Sequence, residues 1–110
     1  NWKELPVNVI SELVIAAGKI PIIPYAVPGS QKLAEIVAAK VLQHKLMILQ
    51  RHGAFTWGND LREAYIGMER LEHSAAILLN AIQAGKMSVL SKTEVQQLLE
   101  IRSNLGDKII

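Results

Sequence analysis

The chain has 110 residues, half of them apolar, no cysteine, and a formal charge of +2 from twelve basic and ten acidic side chains. That is enough for one modest hydrophobic core, and it excludes disulfides and thiolate metal sites. Despite a pI near 9.1 the basic residues are dispersed among acidic ones with few aromatics beside them, so nucleic-acid binding is not indicated, and neither a membrane-length apolar run nor a signal-peptide pattern is present.

Taken in chain order, Pro6 suits a first helical turn and Gly18 a helix end, so residues 6–17 are predicted as a helix. Its apolar face is Val7, Ile10, Leu13, Val14 and Ala17. Ile20 to Tyr25 is apolar and β-branched, but Pro21 and Pro24 each remove a ladder donor, which predicts an edge strand or a partly paired one. Pro28-Gly29-Ser30 turns the chain, and Ser30 caps a helix with Leu33, Ala34, Ile36, Val37, Val41 and Leu42 on a broad apolar face. The run Met47 to Gly58, MILQRHGAFTWG, then reads as a β-hairpin. Met47, Ile48 and Leu49 form one arm, Gly53 permits a tight bend or close backbone approach, and Phe55, Thr56 and Trp57 resume strand chemistry.

Asp60 with Glu63 marks the start of a long helix whose apolar positions are Leu61, Ala64, Tyr65, Met68, Leu71, Ala75, Leu78 and Ile82, with Gly85 as its stop. A last helix opens with Ser91 and Glu94 in capping-box spacing, buries Val95, Leu98 and Leu99, and ends at Gly106. There is no internal repeat, low-complexity tract or flexible linker, so the expectation is one compact α/β unit.

Three places carry chemistry. His52 sits near the hairpin turn beside a residue without a side chain, where an imidazole can project toward a metal, or can simply cap the turn or fill a gap. Glu69, Glu72 and His73 follow one another on the long helix. Glu69 and His73 stand one turn apart and are placed either to share a metal or a proton, or to make an ordinary surface hydrogen bond. Tyr25, between Pro24 and Pro28, is either a proton donor to a cavity or a half-buried packing residue with a wet hydroxyl.

The ordered combination IPIIPYAVPGSQKLAEIVAAKV, then HGAFTWG, then DLREAYIGMERLEHSAAILLN resembles the class II aldolase and adducin family: a strand into PY and PGS, a helix, a strand ending in HG, a WG turn, and a long helix with the rhythm Glu69, Glu72, Ala75. The ending LSKTEVQQLLE is similar to the L-fuculose-phosphate aldolase branch, and HGAFTWG to ribulose-phosphate 4-epimerases. The resemblance implies a central, mainly antiparallel sheet flanked by helices, with residues 1–110 as the C-terminal part of a single domain about twice as long. It implies a metal-dependent sugar-phosphate aldolase of the cytoplasm, usually a homotetramer, that cleaves a ketose phosphate through an enediolate held by a divalent metal, commonly zinc.

In that family an H-x-H pair precedes this region and a third histidine lies in the HG motif, which falls on His52. No H-x-H occurs here. His44 and His73 match no ligand position, and the family's glutamate base and phosphate-gripping loops belong upstream, so this chain alone is expected to be inactive. Registering the motifs puts Ile10 and Leu105 where fuculose-phosphate aldolases carry proton-donating tyrosines. Neither transfers a proton, which leaves open another donor, another substrate, or an epimerisation, dehydration or decarboxylation. The resemblance also admits a non-catalytic association module of the adducin kind.

Overall fold

A computed structural model describes residues 2–85 and 87–106 of the chain. A 3-10 turn over Val7–Val9 leads into α1, Ser11–Ala17, followed by β1, Ile22–Ile23, and α2, Gln31–Val41. The hairpin strands are β2, Leu46–Leu49, and β3, Gly53–Thr56. Two helices close the described chain, α3, Leu61–Gln83, and α4, Lys92–Leu105. The sheet runs β1-β2-β3. The longer pairing is antiparallel, from Leu46 opposite Thr56 to Leu49 opposite Gly53, while β1 adds a short parallel pair, Ile22 with Ile48 and Ile23 with Leu49.

Two prolines keep β1 short, because neither has an N–H to give a ladder. Their carbonyl side still works: Ile48 N–H donates to Pro21 O at 3.0 Å. The outer edge of β1 is partly covered by the N-terminal segment, where Leu5 N–H donates to Ile20 O at 2.8 Å and Ile22 N–H to Lys3 O at 2.9 Å. Burial is complete at Ile20, Ile23 and Met47, each at 0 % exposure. The main core joins Leu5, Val7, Leu13, Val14, Ile20, Leu46, Leu71 and Leu78, with Val95, Leu98 and Leu99 of α4 packed against it.

The predicted helix over 6–17 is interrupted. Ile10 is extended (φ −122°, ψ 112°), and the carbonyl of Asn8 accepts from Leu90 N–H at 2.9 Å instead of from a following turn. Three β-branched residues in four positions, Val7, Val9 and Ile10, make a continuous helix a weak competitor there. Gly18 ends α1 as expected, at φ 70° with its N–H on Val14 O, and Gly29 (φ 77°) turns the chain before Ser30, whose Oγ accepts from Leu33 N–H.

In α3 the apolar positions from the sequence are only partly the buried ones. Leu71 and Leu78 are buried, but Leu61 is 86 % exposed, Tyr65 65 % and Ile82 43 %. The buried ridge is Gly67, Leu71, Ser74 and Leu78, at spacings of four, three and four. Small residues let this ridge approach the sheet: a Cβ on Gly67 would sit 3.4 Å from Leu46 Cδ1. Hydrophobicity does not register Gly67 and Ser74, so the sequence places the stripe one row to the side. In α2 no residue is fully buried, and Leu42, expected on its apolar face, lies just past the helix at 85 % exposure. His44 also lies past the end of α2.

Candidate functional site at the hairpin turn

Residues Gln50, Arg51 and His52 connect β2 to β3. His52 N–H donates to Leu49 O at 3.1 Å, closing a tight turn. The left-handed residue of this turn is Arg51, at φ 59°; Gly53 takes no positive φ and opens β3. The bend expected at Gly53 is therefore carried two residues earlier. A Cβ on Gly53 would meet no atom within 4 Å, so nothing among the described residues requires a glycine there.

The turn is held by its neighbours at both ends. Trp57 Nε1–H donates to Val41 O at 2.8 Å and to His44 O at 3.1 Å, and Trp57 N–H donates to Lys45 O at 3.0 Å, so the WG segment fastens the end of α2 to the base of the hairpin. Lys45 Nζ lies 5.3 Å from the centre of the Trp57 ring and pairs with Glu63, whose other oxygen accepts from Asn59 N–H at 2.6 Å. The Lys45 hydrogen bond, with help from the Asn59 N–H, holds the Glu63 carboxyl below the usual carboxylate range. Asp60 Oδ1 accepts from Glu63 N–H at 2.8 Å and starts α3. At the other end, Tyr25 N–H donates to Gln50 Oε1 at 3.2 Å, which brings the PY segment against the turn.

His52 is exposed at this turn, and its ring nitrogens have no hydrogen-bond partner among the described residues. It stands alone there: no three His, Cys, Asp or Glu side chains converge among the described residues, so those residues do not by themselves fit a divalent cation. His44 faces the Trp57 staple through its carbonyl. Glu69, Glu72 and His73 are exposed on α3, bordering a shallow depression with Tyr65 and Met68 and well separated in sequence and element from His52. Tyr25 is 52 % exposed beside Gln50. Ile10 packs against the core and Leu105 is 39 % exposed on α4, and neither offers a proton.

The sequence did not single out the cations near the turn. Arg51, Lys40 and Lys3 border one groove with Gln50, Trp2 and Pro24. They come from a turn, a helix end and the N-terminal segment, so no spacing in the sequence links them.

This arrangement, a small sheet with helices, is that of the class II aldolase fold. The structure superposes on L-fuculose 1-phosphate aldolase with a TM-score of 0.74 at 25 % identity, covering 88 % of this chain and 45 % of that one. It matches YgbL of Klebsiella pneumoniae, whose description leaves aldolase, epimerase and decarboxylase open, with a TM-score of 0.74 at 27 % identity over 84 % of this chain and 44 % of that one. Residues 2–79 match the model of the class II aldolase and adducin N-terminal domain, and the chain belongs to that family.

Among curated relatives, a 3-oxo-tetronate 4-phosphate decarboxylase of Haemophilus influenzae is 38 % identical over 77 % of this chain and 40 % of its own length. An L-fuculose phosphate aldolase of the same organism is 34 % identical over 87 % of this chain and 46 % of its own length. The chain thus spans less than half the length of the relatives it matches. No helix among the described residues is long and apolar enough to cross a membrane.

Proposed function

We propose that the chain is the C-terminal part of a metal-dependent lyase of the cytoplasm that cleaves a carbon–carbon bond in a phosphorylated sugar, with His52 as one ligand of a divalent cation, preferably zinc. The observation that carries this is the placement of His52: an exposed imidazole with unengaged nitrogens, on a turn fixed by Trp57 at its base and Tyr25 at its mouth. The turn fixes the backbone from which the imidazole projects, and the ring nitrogens, bound to nothing among the described residues, are open to a cation. The family supports the cation, and its remaining ligands would come from outside the described residues. Such a cation supplies Lewis acidity toward substrate oxygens; the part of this chain is to hold one nitrogen donor in position. The assembly expected from the family resemblance is a homotetramer.

Ketose-phosphate aldol cleavage is the first reading. Decarboxylation of a sugar-acid phosphate is the second, favoured by two observations: Ile10 and Leu105 place hydrocarbon where the aldolase resemblance calls for proton donors, and one relative at 38 % identity is a decarboxylase.

The test uses the full-length protein, His52→Ala beside wild type, with zinc measured by elemental analysis and folding by circular dichroism. The expected result is loss of stoichiometric zinc with the spectrum retained. A full zinc complement in the variant sinks the assignment of His52. Assays of wild type on L-fuculose 1-phosphate and on 3-oxo-tetronate 4-phosphate choose between aldolase and decarboxylase; a zinc-loaded protein that turns over neither leaves an epimerase or dehydratase of the family, and a protein without metal leaves the association module.

A further inference from the structure

Parallel pairing of β1 with β2 follows a fixed alternation of donors. Ile48 N–H donates to Pro21 O at 3.0 Å and Gln50 N–H to Ile23 O at 2.9 Å, so the next rung calls for Tyr25 N–H on the peptide carbonyl of Gln50. Tyr25 N–H does bond to Gln50, but to its side chain, donating to Oε1 at 3.2 Å. The carboxamide of Gln50 therefore stands in for its own peptide carbonyl, one residue after β2 has ended at Leu49.

This substitution falls where two constraints meet. Pro24 has no N–H, so Tyr25 supplies the first amide after Ile23 that can hold the PY segment to the hairpin. Arg51 is the one non-glycine residue with a positive φ among the described residues, at 59°, and such a backbone persists only where its surroundings hold it. Packing does not hold it, because Gln50, Arg51 and His52 are all exposed. Hydrogen bonds do: His52 N–H on Leu49 O at 3.1 Å closes the turn, and Gln50 ties the turn to the β1 segment through both its backbone N–H and its side chain.

We propose that Gln50 is a positioning residue for His52. Its carboxamide completes the ladder to Tyr25 after the backbone has turned away, selects the turn in which Arg51 is left-handed, and so fixes the point from which the imidazole projects. The role needs an acceptor at the end of two methylenes. Glutamate keeps both the reach and the acceptor, aspartate carries the same charge one methylene short, and leucine has the bulk with no acceptor. The inference rests on the ligand role proposed for His52 for its effect on metal binding, and on the hydrogen bonds alone for its effect on the turn.

The experiment uses the full-length protein as wild type, Gln50→Leu, Gln50→Asp, Gln50→Glu and His52→Ala. Amide exchange of residues 24–27 and 50–53 is followed by mass spectrometry after metal is stripped with a chelator. Zinc affinity is then measured by competition with a chromophoric chelator, and global stability by urea unfolding. In Gln50→Leu and Gln50→Asp, exchange in both segments should rise and zinc should bind more weakly, each by about five- to tenfold, the factor one exposed hydrogen bond supports. The urea midpoint should stay at the wild-type value. Gln50→Glu should restore slow exchange and zinc affinity together, and the comparison with Gln50→Asp separates reach from added charge.

Wild-type exchange in Gln50→Leu overturns the proposal, since the turn would then hold its place without the carboxamide. So does faster exchange with unaltered zinc affinity in a protein whose His52→Ala variant loses zinc, because the bond would then not position the ligand. Equal behaviour of Gln50→Asp and Gln50→Glu overturns it as well. Should His52→Ala keep its zinc, the ligand reading fails by itself, and exchange in the metal-free variants still decides whether Gln50 holds the turn.

Discussion

The Trp57 indole gives its one polar hydrogen to two carbonyls, Val41 O at the end of α2 and His44 O just beyond it. Replacing it by phenylalanine keeps most of the apolar contact and removes that donor. Trp57→Phe should therefore cost about 1–3 kcal/mol in urea unfolding, and amide exchange at the end of α2 should rise. Arg102 does comparable work at long range. Its Nη1 donates to Ile15 O at 2.8 Å and Ala16 O at 2.7 Å, capping the C-terminal end of α1 from α4. Arg102→Met preserves the stem and should lose about 2 kcal/mol, read in the same unfolding experiment; a change below a few tenths would mean that water replaces the guanidinium without penalty. His52 and Trp57 were both visible in the HGAFTWG run. Arg102 was not, because its partners lie more than eighty residues away in sequence and the periodicity of α4 says nothing about α1.

At the scale of elements, the starts of α2, α3 and α4 were legible, that of α1 was not, and helix faces were less legible. The capping box of α4 is present as expected, Ser91 Oγ accepting from Glu94 N–H at 3.1 Å and Glu94 Oε1 from Ser91 N–H at 2.8 Å. The Ser91 N–H, and then its hydroxyl, hold the Glu94 carboxyl below the usual value of 4.5; Lys45 does the same for Glu63, and the Ser11 hydroxyl for Glu12. A carboxylate whose folded pKa is depressed adds stability that is present above its unfolded value and disappears as pH falls through the folded one. The melting temperature should thus hold between about pH 7 and 5 and drop on the acid side of about 4.5, with a smaller drop in Glu94→Gln. A melt that declines already above pH 6 would point to other groups. The buried ridge of α3, by contrast, depends on Gly67 and Ser74, which no hydrophobic pattern selects.

For the whole molecule, the radius of gyration is 14.4 Å, against about 13 Å for a compact domain of this length. The excess agrees with the exposure of large apolar groups, Leu42 at 85 % and Leu61 at 86 % among them, and with α2, which has no fully buried residue. Stability should accordingly be uneven. In the 110-residue chain, hydrogen exchange in α2 is expected to be faster than in the Gly67–Leu78 stretch of α3. Equal protection of the two helices in the short chain would show that the partly exposed face of α2 is already sufficient to hold it.

The sequence by itself determined the α/β class, the hairpin, the caps at Ser30, Asp60 and Ser91, the stops at Gly18 and Gly85, and His52 as the residue to explain. These are local matters, set by the missing donor of proline, the freedom of glycine and the side-chain oxygens of serine and aspartate within a few residues. Tertiary structure alone decided that Arg51 rather than Gly53 takes the left-handed bend, that Ile10 breaks the first helix, that Gly67 and Ser74 face the core, and that Lys3, Lys40 and Arg51 share one groove. Each of those depends on which distant segment competes for a backbone bond or a place in the packing, and that competition is resolved only when the chain is assembled.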